Sequence, residues 1–483
     1  MSRYHVWGLV ALAALGVGAC GRSTQHARTA IFASGADLRT VNPLVTVHPL
    51  AKQVERYVLL TTLARYDAAF VPRPYLARSW RWSDDHRALT FALARDAVWS
   101  DGLPTVARDV AWTLNAARDS ATGYPRLDDL AAIAFASDLN DSTVVVRFAT
   151  PQSGFPDVLT DLAILPAHLF DSIPHERLRQ AAWNDHPVGN GPFRFVQHEP
   201  NRRWVFAANP DFPQDLGGPP RLERFIVAVV DEPTTKLAAL VSGEVDFAGI
   251  QPAHAAFVEA KPHLSVVAYS MLMPYGIVFN ERRPPFNDPR VRRAVALAVD
   301  RQEIVDGYLY GFGAPAYGPV PPEVATGLGL RPTPGFSVNV DSARALLGGA
   351  RMGFELLTVG SGEAALEQML QAQLARAGFD VTIRQLELGA FLDRVYGAHP
   401  DFEGALLGIP GDLGLGYLRT IARIAGVRRG SDAAATMRVL RDSVPAAFLY
   451  YARGLQGMNR RMQGVRMDLR GELPTIAHWW TEQ

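Results

Sequence analysis

Cys20 is the only cysteine in a chain of 483 residues, so whatever follows it must be held by packing and hydrogen bonds alone, with neither a disulfide nor thiol chemistry. A body this long exceeds what one hydrophobic core organises, and two or three lobes are expected. The chain alternates strand-like and helix-like segments, the pattern of an α/β fold. Apolar or alternating runs at 31–34, 89–93, 144–148, 225–230, 275–279, 354–358 and 381–385 read as strands. Helical spacing appears over 54–63, 108–117, 233–242, 289–298, 364–377 and 390–396. Thr105 and Asp288 are N-cap candidates, and Gly243 and Gly378 stand where helices should stop. The strand–helix–strand order of the last third suggests a sheet of its own.

At the front, Arg3 and His5 precede an apolar run over 6–17, and Val17-Gly18-Ala19 leads directly into the cysteine. That arrangement resembles the lipobox of bacterial lipoproteins. The resemblance implies a signal peptide over 1–20, a mature N-terminus at Cys20 carrying lipid on its sulfur, and a polar tether over 21–27. An ordinary signal peptide cut nearby and a short membrane anchor are the competing readings, but the run falls short of the ~20 residues that span a bilayer. Lys plus Arg equals Asp plus Glu, 48 each, so no overall field draws the chain toward nucleic acid. His-Glu-x-x-His, P-loop and Gly-x-Ser-x-Gly patterns are absent from the sequence, and no catalytic residue, metal ligand or cofactor is assigned.

A series of short blocks, in order along the chain, carries a second resemblance. They begin with Asn42-Pro43-Leu44, Tyr66-Asp67 and Leu76-Ala77-Arg78-Ser79-Trp80, followed by Trp99-Ser100-Asp101-Gly102 with Ala107-Arg108-Asp109-Val110. Val188-Gly189-Asn190-Gly191-Pro192-Phe193 and Asn209-Pro210-Asp211-Phe212 come next, then Ser242-Gly243-Glu244-Val245-Asp246, and Phe279-Asn280 through Asn287-Asp288-Pro289-Arg290. Together they resemble the extracytoplasmic solute-binding proteins of family 5, the oligopeptide, dipeptide and nickel receptors of ABC importers. The resemblance implies an α/β, periplasmic-binding-protein-like class II fold, with two lobes joined by hinge strands and a third small lobe inserted in the first. Lobe one would comprise 28–58, 164–268 and 441–483, the inserted lobe 59–163, and lobe two 269–440. The implied partners are a peptide or other small solute, an ABC permease, and the membrane through Cys20; the protein would be a monomer in the cell envelope.

Most motif residues read as structural. Trp99-Ser100-Asp101-Gly102 is a tight turn, Asp109 suits a helix's first turn, and Asp300-Arg301 reads as closing a helix. Gly189 and Gly191 serve either a packed turn or a ligand strand. Peptide receptors of the family hold the ligand's α-ammonium on an acid in a Gly-aromatic-x-x-Asp stretch, and Asp412 falls at that position in Gly408-Ile409-Pro410-Gly411-Asp412. Ile409 replaces the aromatic, and Asp412 beside Gly411 also reads as a plain turn residue. Only 419–440 separates this stretch from Phe448-Leu449-Tyr450-Tyr451, a lobe two shortened against the family pattern. Asn42, Tyr66, Asn190, Tyr275, Asn280, Tyr417 and Tyr451 are the other ligand candidates, since hinge strands and turns should present them to the cleft. A nickel or metal-chelate receptor, with His186 or His399 as ligand, and a sensor or scaffold lipoprotein that keeps the fold are the alternatives.

Overall fold

The computed structural model describes residues 28–46, 48–335, 337–360, 364–397, 399–411, 414–428, 430 and 433–482. Cys20, the signal and tether segments, and Asp412 therefore lie outside the described residues. One continuous sheet of 11 strands organises the molecule. At its centre two long strands, Leu264–Phe279 and Ala446–Asn459, pair antiparallel along most of their length. On one side of the pair the order runs Phe247–Gly249, Thr29–Ser34, Arg224–Val229, Arg203–Ala208 and Phe193–Glu199. On the other it runs Gly404–Gly408, Met352–Val359 and Phe379–Leu386. Each central strand thus serves two sheets in turn, which makes two lobes joined by crossing strands.

Each lobe buries its own core. In lobe one, Phe32, Trp204, Phe206, Phe225 and Phe247 pack with Trp479 from the chain's end. Lobe two is covered on both faces, by a cluster around Phe279, Phe286 and Phe354 and another around Val278, Ile421 and Phe448. A separate antiparallel sheet, Ala77–Trp82, Ala88–Leu93, Thr143–Phe148 and Ile133–Asn140, lies within the segment expected to form the inserted lobe. Helix Ala107–Arg118 covers it, and its core is continuous with that of lobe one.

Local chemistry sets the element ends. Glu232 accepts the Thr235 N–H and Pro233 opens helix Pro233–Ser242, which stops at Gly243. Asp288 likewise caps helix Pro289–Ala298. Several expectations need correcting. Helix Ala107–Arg118 is capped through Asp109, whose carboxylate accepts the Val106 N–H at 2.9 Å, the Trp99 indole at 3.1 Å and the Ala167 N–H at 2.9 Å, and not through Thr105. The helix expected over 54–63 comes earlier, as Pro49–Val54 continued by a π-turn at Glu55–Leu59, because His48 and Pro49 supply the start. Asp300 opens a helix, Arg301–Gly307, and does not close one. Gly189 and Gly191 form a packed turn: a Cβ on either would lie within 2.6 Å of Leu59 atoms.

Candidate functional site

The strand register shows where a ligand could lie. In lobe one, Thr29–Ser34, Arg224–Val229 and Phe247–Gly249 are mutually parallel, and the last ends with Gly249 opposite Gln456 of the second crossing strand. In lobe two, Gly404–Gly408 and Met352–Val359 are parallel, and the former ends with Gly408 opposite Tyr275 of the first crossing strand. The crossing lies between these points, at Ser270 opposite Arg453. Both sheets therefore turn their carboxyl edges toward one another across two strands, and carboxyl edges are where open α/β sheets bind ligands.

The pairing of the crossing strands is broken between Ser270 and Pro274, where a bulge loosens the ladder and Pro274 has no N–H to offer. On either side of that break a tyrosine ring covers a glycine. Tyr269 lies against Gly454 and Tyr275 against Gly408, and a Cβ on either glycine would come within 2.6 Å of the ring. The deformable stretch is thus confined between two close-packed anchor points.

On the lobe-two side, the Tyr275 ring stacks on Tyr450 at 4.8 Å with Tyr308 beyond it. Burial pushes the Tyr275 phenol above its ordinary pKa, and its hydroxyl has no hydrogen-bond partner among the described residues. Gly411 donates its N–H to the Leu272 carbonyl at 2.6 Å, which seats the loop leading to Asp412 against the break. The remaining candidates have their polar atoms engaged within the protein. Asn42 bonds Asn184 and the Leu44 N–H, Asn190 bonds Thr105 and the Thr61 N–H, and Asn280 bonds the Pro400 carbonyl and the Arg282 N–H. Tyr417 donates to the Pro319 carbonyl, Tyr451 reaches the Gly318 and Val320 carbonyls, and Tyr66 donates to Asp157. The structure brings Tyr275 and the 408–411 segment together; Asn42 and Asn190 brace lobe one.

Two groupings were not legible in the sequence. In lobe one, Glu472 accepts the Tyr269 hydroxyl at 2.7 Å, the Gln456 amide at 2.7 Å and the Gln53 amide at 3.3 Å. The second is a charged network linking the lobes. Asp161 holds Arg56 and Arg126, Arg126 reaches Asp129 at 2.6 Å, and Asp129 meets Arg419 of lobe two at 3.0 Å. Burial pushes Asp161 upward, but the two guanidinium groups outweigh it and hold its carboxyl below the usual range.

Beside that network Lys52, Glu55, Arg126 and Asp161 line a cavity of about 10 Å³, room for about one water. One Glu55 carboxyl oxygen is buried without a partner, and burial raises its pKa well above the ordinary value. A raised folded pKa means stability that is complete below the unfolded value and lost as pH rises through the folded one. Glu55→Gln, which stays neutral, should therefore melt higher than wild type at about pH 8 and no higher at about pH 4. Scanning calorimetry at both pH values checks this; an equal shift at both would mean that Glu55 titrates normally.

The fold and its facing carboxyl edges define the class: a two-lobed α/β protein whose halves are joined by two crossing strands. The chain belongs to the bacterial extracellular solute-binding proteins, family 5, whose model matches residues 71–412. It is 23% identical over 487 aligned positions to the oligopeptide-binding protein AppA of Bacillus subtilis, covering 91% of this chain and 89% of that protein. A putative ABC transporter peptide-binding protein of Brucella ovis is 32% identical over 242 residues, which is 50% of this chain and 45% of the relative. The match thus spans less than half of that relative's length. Among solved structures, AppA in complex with a nonapeptide superposes with a TM-score of 0.78 at 21% identity, covering 94% of this chain and 99% of that one. NikZ of Campylobacter jejuni in complex with Ni(L-His) gives 0.78 at 19%, covering 94% and 100%. At these identities the likeness shows the fold. Among the described residues no helix is long and apolar enough to cross a membrane.

Proposed function

We propose that this chain is the substrate-binding component of an ABC importer. It captures a peptide or similar small solute between its lobes and delivers it to a membrane permease, as a monomer tethered outside the cytoplasm by lipid on Cys20. The observation that carries the reading is the meeting of two carboxyl sheet edges across a bulged pair of crossing strands. Such a frame turns binding into closure, because only a solute with better contacts in the closed state shifts the equilibrium. Relatives named as peptide-binding proteins, and a similar fold solved with a nonapeptide, support peptides as the solute. On this reading the lobes divide at 58/59, 163/164, 268/269 and 440/441, Asp412 anchors the α-ammonium from lobe two, and Tyr275 walls the cleft.

Thermal shift and calorimetry against a mixed peptide panel test the reading. A peptide at about 100 times its Kd should add roughly 2.7 kcal/mol of stability. Asp412→Asn should weaken peptide binding by about ten- to a hundredfold, the effect of a charge-assisted hydrogen bond worth about 1.5 to 3 kcal/mol. No response to peptides, sugars or a nickel–histidine chelate overturns the receptor reading. Response to the chelate alone replaces the solute class, and unchanged affinity in Asp412→Asn removes only the anchor.

A further inference from the structure

The carboxyl edge of lobe one carries a carboxylate that the fold holds in place without neutralising. Glu472 is only partly exposed, and its three side-chain donors, Tyr269, Gln456 and Gln53, are all uncharged. Among the described residues no arginine or lysine comes within ion-pair distance of it. Two other buried carboxylates are matched by cations, Asp161 by Arg56 and Arg126, and Asp246 by Arg461 at 2.7 Å. Gln456, only 4% exposed, uses its amide nitrogen on Glu472, and its amide oxygen meets no donor. A buried acceptor without a donor costs about 1 to 3 kcal/mol, so acceptor capacity at this point exceeds what the protein satisfies.

The location makes this relevant to ligand. Gln456 is the residue opposite Gly249, the last residue of its strand, and Tyr269 sits at the last close-packed step before the break in the crossing strands. Lys236 stands at the same edge, beside Gly35, and senses both Asp231 and Glu472 as neighbouring negative charges. Asp231, Glu232 and Glu472 outnumber Lys236 and Arg453, the exposed cation opposite Ser270 on the same strand as Gln456, and that balance favours a cationic guest.

We propose that Glu472, positioned by Tyr269, Gln456 and Gln53, is a cation subsite on lobe one that receives an ammonium group of the ligand other than its α-ammonium. It would make the protein selective for peptides with a basic side chain. The proposal rests on the receptor reading above and adds the substrate class.

Calorimetry of the whole chain with Ala-Lys-Ala and Ala-norleucine-Ala, which differ chiefly in the side-chain ammonium, tests it. Wild type should prefer the lysine peptide by about tenfold, and Glu472→Gln should abolish that preference while changing norleucine-peptide affinity by less than about threefold. The preference is read on wild type first, so a poorly folding variant does not shelter the proposal; Glu472→Asp, which keeps the charge, should retain part of it. Equal wild-type affinity for the two peptides, or a preference that survives Glu472→Gln, overturns this subsite and leaves the receptor reading standing. Binding of neither peptide, with no other panel member bound, overturns both.

Discussion

Arg301→Met should lower the stability of lobe two by about 3 to 5 kcal/mol. Arg301 is 4% exposed, and its guanidinium donates to four backbone carbonyls: Nε to Ala316 at 2.8 Å and Phe448 at 2.7 Å, and Nη1 to Ala296 and Val299 at 3.1 Å each. Those acceptors belong to the end of one helix, the turn before the next, the segment after Gly313–Pro315 and the second crossing strand, so one side chain ties together four pieces of backbone. The Tyr317 ring lies under the guanidinium at 5.0 Å. Burial lowers the pKa to about 10, so the group still carries its charge at neutral pH. Methionine matches much of the volume but strands the carbonyls, and an unpaired buried acceptor is costly in a way that lost packing is not. Calorimetry should show the lobe-two transition moving down while the lobe-one transition stays near its wild-type temperature. A loss below about 1 kcal/mol would mean that water replaces the guanidinium and that the carbonyls do not depend on it.

Asp161→Asn should cost a comparable amount, about 3 to 5 kcal/mol, by leaving two largely buried arginines facing each other without the shared carboxylate. Arg56 and Arg126 are 19% and 17% exposed, and Lys52 adds a third positive charge nearby. Because the folded pKa of Asp161 lies below its ordinary value, its contribution is complete above that value, near 3.8, and fades as pH falls through the folded one. The difference between wild type and variant should therefore be full at neutral pH and shrink in strong acid. A second readout follows from position. Arg126 also steadies Asp129, which meets Arg419 across the lobes, so the variant should open more readily in solution, seen as a larger radius of gyration by X-ray scattering without ligand. Arg419→Ala should reproduce only the opening, since a half-exposed pair of this kind contributes about 0.2 to 1 kcal/mol. Equal stability at neutral pH and in acid would show that the carboxylate does not carry the network.

These groups were out of reach of the sequence for a physical reason. The helices at Pro289–Ala298 and Pro233–Ser242 were legible because their caps and periodicity lie within a dozen residues, and the family blocks were legible as a series. The charged network joins positions from Lys52 to Arg419, and no local pattern marks residues that meet only through tertiary structure. The first crossing strand was visible only in its last five residues, because Tyr269–Pro274 mixes polar, sulfur-bearing and imino residues where the ladder breaks. Asp109 was correctly read as a first-turn acid, but its bonds to Trp99 and Ala167 bring together three separate segments. Tyr417 and Tyr451 looked like ligand-facing aromatics, while their hydroxyls cap carbonyls of the 318–320 segment. Glu472 had no motif around it, and its significance comes from Tyr269 and Gln456, two residues whose own roles follow from the register of the crossing strands.

That register also governs the order in which the polypeptide can assemble. Phe247–Gly249 pairs with Met458 through Gln456, Asp246 is neutralised by Arg461, and Trp479 stacks on Phe247 at 4.7 Å, so the half begun by Thr29–Ser34 is finished only by residues from Gln456 onward. Lobe two waits too, since Ala446 through Tyr451 completes its sheet. Contacts this distant along the chain nucleate slowly, and a nascent polypeptide that has not reached Ala446 can settle into neither half, which leaves it pliable until that strand has been made.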